Sequence, residues 1–289
     1  MADTLLVDTA VVRQIGHGIF KAADRLAGAG RGLRFPLPAP AADPLSLRIG
    51  AGLSRCARAA GIAAGDAADE LTRVGEALCG NLELVSQIAR FTRLAQVGLV
   101  APCPEGPAEF SATIKRDVQG DELLPVYQLK TWSDDEVLSC AVLLAGGDVE
   151  TAGAFTAAPI VITEVGADIG RLAEALEEAW PATTASALLK RFAAWVSGPL
   201  EGVAGQIVAA QGQWTEEYRT AREAVSIAAG QYVSIRLQAL DGADSELSAD
   251  IGQVRSALQV YAQARIVESV TFSESYPRMK ASGGRAGIG

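Results

Sequence analysis

Apolar residues recur at intervals of three and four along most of this chain, the signature of helices that bury one face. The first stripe is Val11, Ile15, Ile19, Ala22 and Leu26, which predicts a helix from about Asp8 to Ala29. Gly28, Gly30 and Gly32 are expected to end it, and the segment Leu33 to Asp43, with Pro36, Pro38 and Pro40, reads as an extended connection. Asp43-Pro44 has the form of an N-cap followed by proline at the first helical position. A second stripe starts at Leu45, Ile49, Leu53 and Cys56 and continues through Leu71, Val74 and Leu78 to Phe91 and Leu94, so a long helix is expected to about Gln96. Gly61, Gly65, Gly75 and Gly80 each lower its propensity by about 1 kcal/mol relative to alanine. They either permit close helix approach or mark bends.

Residues 97–131 lose the pattern. Pro102, Pro104, Gly106 and Pro107 make a linker, and Phe110 to Lys130 is too mixed to assign. Ser133 to Glu136 forms a capping box that opens a short helix through Val142 to Ala145, closed by Gly146-Gly147. After a connection over 148–159, a third stripe of Ile162, Val165, Ile169, Leu172, Leu176 and Trp180 is stopped by Pro181. It resumes beyond the break with Leu188, Phe192, Val196, Val203, Ile207, Ala210, Trp214, Tyr218, Ala221 and Val225. The two stripes are expected to face each other as a hairpin turning at Trp180, its second arm bent at Pro199. Helix is expected to run on to Leu240, to break at Asp241-Gly242, and to return with Ile251, Val254, Leu258, Tyr261 and Ile266. From Thr271 the chain turns polar and glycine-rich and reads as a disordered tail.

The fold class expected is therefore all-α, with two long antiparallel helical hairpins in an elongated bundle and an irregular middle. The corresponding divisions are 1–98, 99–159, 160–270 and the tail 271–289. Apolar residues make up 49% of the 289 and charged residues 20%, a balance that builds a core and excludes wholesale disorder. The net charge of −9 is uneven: residues 1–99 carry 11 basic and 9 acidic side chains, the remainder 14 and 25. Between Asp134 and Glu178 ten acidic residues stand against the single base Arg171. That excludes nucleic acid as a partner for this half, because phosphate binding needs clustered Lys and Arg. It is either a solvating face or a surface for a basic partner.

The chemical inventory is sparse. His17 is the one histidine and has no ligand at metal spacing, and Asp134, Asp135 and Glu136 are accounted for by the capping box. Cys56, Cys79, Cys103 and Cys140 show no metal spacing; three disulfide pairings are open to them, and free thiols are expected. Cys56 and Cys79, about 34 Å apart on one helix, cannot bond each other. No phosphate loop, nucleophile elbow or paired acid and base is present, so no enzyme activity, metal or cofactor is expected. The N-terminus lacks a secretory signal, and no apolar run is long enough to span a membrane. Trp132, Trp195 and Trp214 read as packing residues, whereas Trp180 either caps the hairpin seam or presents an exposed anchor. Trp180, Pro181, Trp214 and Tyr218 are the candidate turn and interaction residues.

The stretch Leu172 to Trp180, followed by Phe192-Ala193-Ala194-Trp195, resembles the WxG helical hairpins of type VII (ESX) secretion, with Trp180-Pro181-Ala182 in place of Trp-x-Gly. The N-terminal part, through Val7 to Ala10, Ala22 to Leu26 and Ala67 to Leu71, is similar to the secretion-associated hairpins that lack the turn tryptophan. The resemblance implies a non-enzymatic secreted or secretion-associated protein of an actinobacterium, made in the cytoplasm and exported without a cleaved signal peptide. Its partners would be small helical proteins of the same system or further copies of itself. Those families carry Tyr with Asp or Glu four residues later, whereas here Tyr218, Tyr232 and Tyr261 precede Arg222, Arg236 and Arg265. Either the export signal then lies on a partner chain, or the protein is not exported that way. Two other readings stand beside this one: the targeting region of a larger secreted toxin, and a cytoplasmic helical adaptor unrelated to secretion.

Overall fold

The computed structural model describes residues 9–92, 117–119, 129–148, 157–180, 184–238, 244–264, 266 and 271–273. Helix α1 is Thr9–Arg34 and α2 is Pro44–Thr92. They lie antiparallel: Gly16 faces Cys79, Phe20 faces Gly75, and Gly30 faces Gly61, so positions descend on one helix as they climb on the other. The α2 stripe from Leu45 to Leu78 is buried throughout. On α1, Val12 is buried and Val11 exposed, so the inward face enters one residue later than the stripe suggested.

Contrary to expectation, α1 runs straight through Gly28, Gly30 and Gly32 to Arg34. The reason is packing. A Cβ placed on Gly30 would come within 2.8 Å of the Gly61 carbonyl oxygen, and one on Gly61 within 2.5 Å of the Gly30 oxygen. The two backbones touch there, and the contact outweighs the roughly 1 kcal/mol propensity loss of each glycine. Arg34 closes the crossing by donating from Nε to the Gly61 carbonyl at 3.1 Å.

Helix α3, Asp134–Ala145, begins at the expected capping box: the Glu136 amide donates to Ser133 Oγ at 3.3 Å, and the Ser133 amide to Glu136 Oε2 at 2.7 Å. Helix α4, Ala157–Ala179, pairs with α5, Thr184–Trp195, and with the π-helical turn Val196–Leu200. This pair is antiparallel too, with Lys190 bonded to Glu177, Gly166 against Ser197, and Thr163 donating to Glu201 at 3.0 Å. Pro199, which the sequence marked as a bend, sits inside the π turn, where its missing N–H removes one helical bond.

Helix α6, Glu201–Gln238, and α7, Asp244–Ala262, complete the bundle. The second arm of the expected hairpin follows α4 only over its first part. From Trp214 onward it faces α2, α3 and α7, since α4 begins at Ala157 and has run out. Helix α1 packs on α4 as well as α2, and Arg25 bridges that joint by bonding Glu164 and Asp168. One other expectation is corrected. Strand β1, Asp117–Gln119, lies in the segment left unassigned, and it pairs antiparallel with β2, Thr271–Ser273, where a disordered tail was expected to begin. The fold is all-α apart from that three-residue pairing. Residues 274–289 lie outside the described residues, as does Cys103.

Gly30→Ala should destabilise the protein by about 2–3 kcal/mol, because the new methyl group meets backbone that cannot move aside. Gly80→Ala, with nothing within 4 Å of the added carbon, should stabilise by about 1 kcal/mol. Urea unfolding of the two variants checks the contrast.

Candidate functional site

At the start of α2 the Asp43 side chain caps the helix as its sequence indicated: Oδ1 accepts from the amides of Leu45 at 3.0 Å and Ser46 at 2.9 Å. Asp43 is fully buried, as is Ser46. The hydroxyl of Ser46 shares a 3.0 Å hydrogen bond with Tyr261 of α7, and the Trp214 indole N–H of α6 donates to that same Tyr261 oxygen at 2.7 Å. Asp43 Oδ2 has no hydrogen-bond partner. Desolvation therefore dominates and pushes its pKa up, against the pull of the Ser46 and Leu45 hydrogen bonds. Burial likewise raises Tyr261 and lifts the Cys140 thiol to about 12, with the Asp43 charge adding to it. A thiol so held is protonated at neutral pH and is no nucleophile.

This buried knot fixes α3. Tyr218 of α6 donates to the Leu144 carbonyl at 2.7 Å, and Arg222, one turn on, donates from Nε to the Ala145 carbonyl at 3.0 Å. Both oxygens belong to the last turn, where Tyr218 adds to the Gly147 amide that Leu144 accepts at 3.3 Å, and the Arg222 cation suits the negative end of the helix dipole. Just beyond, the Asp148 amide donates to the Pro40 carbonyl at 2.8 Å, and a Cβ at Gly147 would collide with that oxygen and with the Tyr218 hydroxyl. At the other end, Arg255 of α7 donates to the Leu129 and Trp132 carbonyls at 2.5 and 2.8 Å and to Asp134 at 2.9 Å. The Tyr218–Arg222 spacing, which departs from the secretion families' pattern, serves to hold α3 here.

The inner face of α3, Val137, Cys140, Ala141 and Leu144, is buried against these elements. Its outer face remains apolar too: Val142 is 66% exposed and Leu143 45%. Beside them a shallow groove of about 460 Å³ opens between α2 and α3. Pro44, Trp132, Cys140 and Leu143 make its apolar lining, and the exposed carboxylates of Asp135 and Glu136 stand at its edge. Glu136 is held below the usual carboxylate range by the Ser133 amide and hydroxyl, so it stays charged. Leu47, one turn along α2 from Pro44, adds another apolar side chain that is 52% exposed.

The residues singled out from sequence separate accordingly. Trp214 and Tyr218 meet in the knot through Tyr261, the two tyrosine rings tilted at 59° with centroids 6.3 Å apart. Trp180 ends α4 and is 3% exposed, its amide donating to the Leu176 carbonyl at 2.8 Å; it packs in the core and offers no exposed anchor. Pro181 lies outside the described residues. His17 is exposed and lies edge-on to Phe20, and Cys56, Cys79 and Cys140 are free thiols. Among the described residues no group of three His, Cys, Asp or Glu can hold a metal ion, and no helix is long and apolar enough to cross a membrane. Sequence reasoning did not find the Ser46–Tyr261–Trp214 set, whose members are far apart in the chain. Nor did it find the open face of α3, although a signal existed: Val137, Ala141, Val142, Leu143 and Leu144 put apolar groups on every side of a twelve-residue helix. Compared with protein-family models, curated proteins and solved structures, the chain matches none.

Because the folded-state pKa of Asp43 is raised, its proton is bound more tightly in the folded than in the unfolded chain. The penalty for ionising it is absent below about pH 4, the unfolded carboxyl's range, and grows as pH rises through the folded value. Asp43→Asn keeps a capping oxygen and removes the titration. Its melting temperature relative to wild type should climb between pH 4 and 7, whereas Asp43→Ala should be less stable throughout by about 1 kcal/mol. Thermal melts across that range check both.

Proposed function

We propose that this chain is a non-enzymatic helical protein that works by associating with another protein, in the setting the sequence resemblance suggests, type VII secretion. The observation that carries the association is the outer face of α3. That helix is clamped at both ends by Tyr218, Arg222 and Arg255, yet it turns Val142 and Leu143 to solvent beside the half-buried Trp132. A rigid helix with an apolar exposed face is a surface suited to a partner.

The hairpin seams do not serve this role, for both are filled from within. The α1–α2 seam closes on itself, and the α4 stripe is covered by α5, the π turn and α1. These filled seams support a reading in which association uses the α3 face and the chemistry-bearing side chains of the knot act as structural supports. The resemblance supports export through a type VII apparatus, and the association face is where a companion carrying the export signal would bind.

Expression in an actinobacterial host with and without a working type VII secretion ATPase tests the setting. The protein should reach the culture filtrate only when the ATPase works, and Leu143→Ser should lower the exported amount several-fold while leaving the cellular amount near normal. Equal appearance in both hosts, or confinement to the cytoplasm in both, would remove the secretion reading and leave an adaptor.

A further inference from the structure

We propose that the α2–α3 groove takes a basic, amphipathic segment of a partner polypeptide, one that seats an apolar side chain between Trp132, Pro44 and Leu143 and places Lys or Arg against Asp135 and Glu136. This rests on the reading of the α3 face as an association surface, and it names the chemistry of what binds there.

Charge chooses the occupant. Of the three acidic residues in the first turn of α3, Asp134 is bonded to Arg255, and that arginine is further committed to the carbonyls of Leu129 and Trp132. Arg255 thus does not neutralise Asp135 and Glu136, which remain exposed at the groove edge. Glu136 also stays ionised to lower pH than an ordinary glutamate. The acidic residues of α4 do not add to this edge, since Glu164 and Asp168 are bonded to Arg25 and Glu177 to Lys190; the charge that favours and steers a cationic partner is that of Asp135 and Glu136 themselves.

Shape chooses the apolar half. A volume of about 460 Å³ accommodates one or two side chains, not a whole helix seam. Trp132 supplies an indole face, which holds aliphatic stems and stacks on guanidinium groups. Leu143, which lines the groove, is itself 45% exposed, so an apolar side chain can reach it from solvent. An acidic or purely polar segment would desolvate Asp135 and Glu136 without supplying a neutralising charge, which disfavours it.

The test uses the full chain and two synthetic probes: an acetylated twelve-residue peptide of Leu, Ala and Lys with helical patterning, and its counterpart with Glu in place of every Lys. Titration calorimetry at low salt should show the Lys peptide binding at least about tenfold more tightly than the Glu peptide. Asp135→Asn with Glu136→Gln, which keeps the capping box, should weaken the Lys peptide about fivefold or more, and Leu143→Ser should weaken it similarly. Glu174→Gln with Glu178→Gln, on the exposed face of α4, should change nothing.

Equal loss in the α4 pair would show diffuse charge attraction and overturn the site. If Leu143→Ser weakens both peptides alike while the Asp135 and Glu136 changes have no effect, the association face stands and the basic preference falls. If none of the three changes alters the binding of either peptide, both fall together. A dimer seen by light scattering and abolished by Leu143→Ser would mean that a second copy covers the face, which would also overturn the proposal.

Discussion

Everything around α3 depends on one buried junction, where the capped start of α2 meets α6 and α7 through Asp43, Ser46, Trp214 and Tyr261. Indole, hydroxyl and phenol satisfy one another there, so polar atoms sit in the core at little cost. Asp43 is the exception, with one oxygen unpaired. Its other oxygen closes the first turn of α2 by accepting from the Leu45 and Ser46 amides. An aspartate that both caps a helix and resists ionisation makes the junction dependent on pH in a way an asparagine would not.

From the junction the dependence runs outward. Tyr218 lies against Tyr261, the rings tilted, and passes its position to α3 through the Leu144 carbonyl, and Arg222 does the same for Ala145. A helix of twelve residues is marginal by itself in water, and removing a donor from a buried carbonyl costs about 1–3 kcal/mol. The open apolar face of α3 is thus held rigid by groups on its far side. A surface held in this way loses little conformational entropy when it binds.

The helices and their inward faces were readable because a period of 3.6 residues is local and because α2, from Leu45 to Leu78, and α4 bury nearly every position of their stripes. The caps at Asp43 and Ser133 were readable for the same reason. Where α1 ends was not, since Gly30 is judged alone by propensity but acts as a pair with Gly61, which lies on the next helix. Trp180 shows the same limit: a tryptophan beside a break can face in or out, and only the tertiary packing, which leaves it 3% exposed, decides that it faces in. The groove was invisible as a unit, as Pro44 and Leu143 come from separate parts of the chain. Its carboxylates were read as a cap, which they are, and their second consequence, a negative edge, follows from where α2 lies.

The central claim is that α3 has no stability of its own and is held by the buried junction. Native-state hydrogen exchange measures this directly. The account predicts that the α3 amides open with the same free energy as those of α6 around Trp214 and Tyr218, and that Tyr218→Phe lowers both together. Rapid exchange of α3 while the Trp214–Tyr218 turn of α6 remains protected would contradict it.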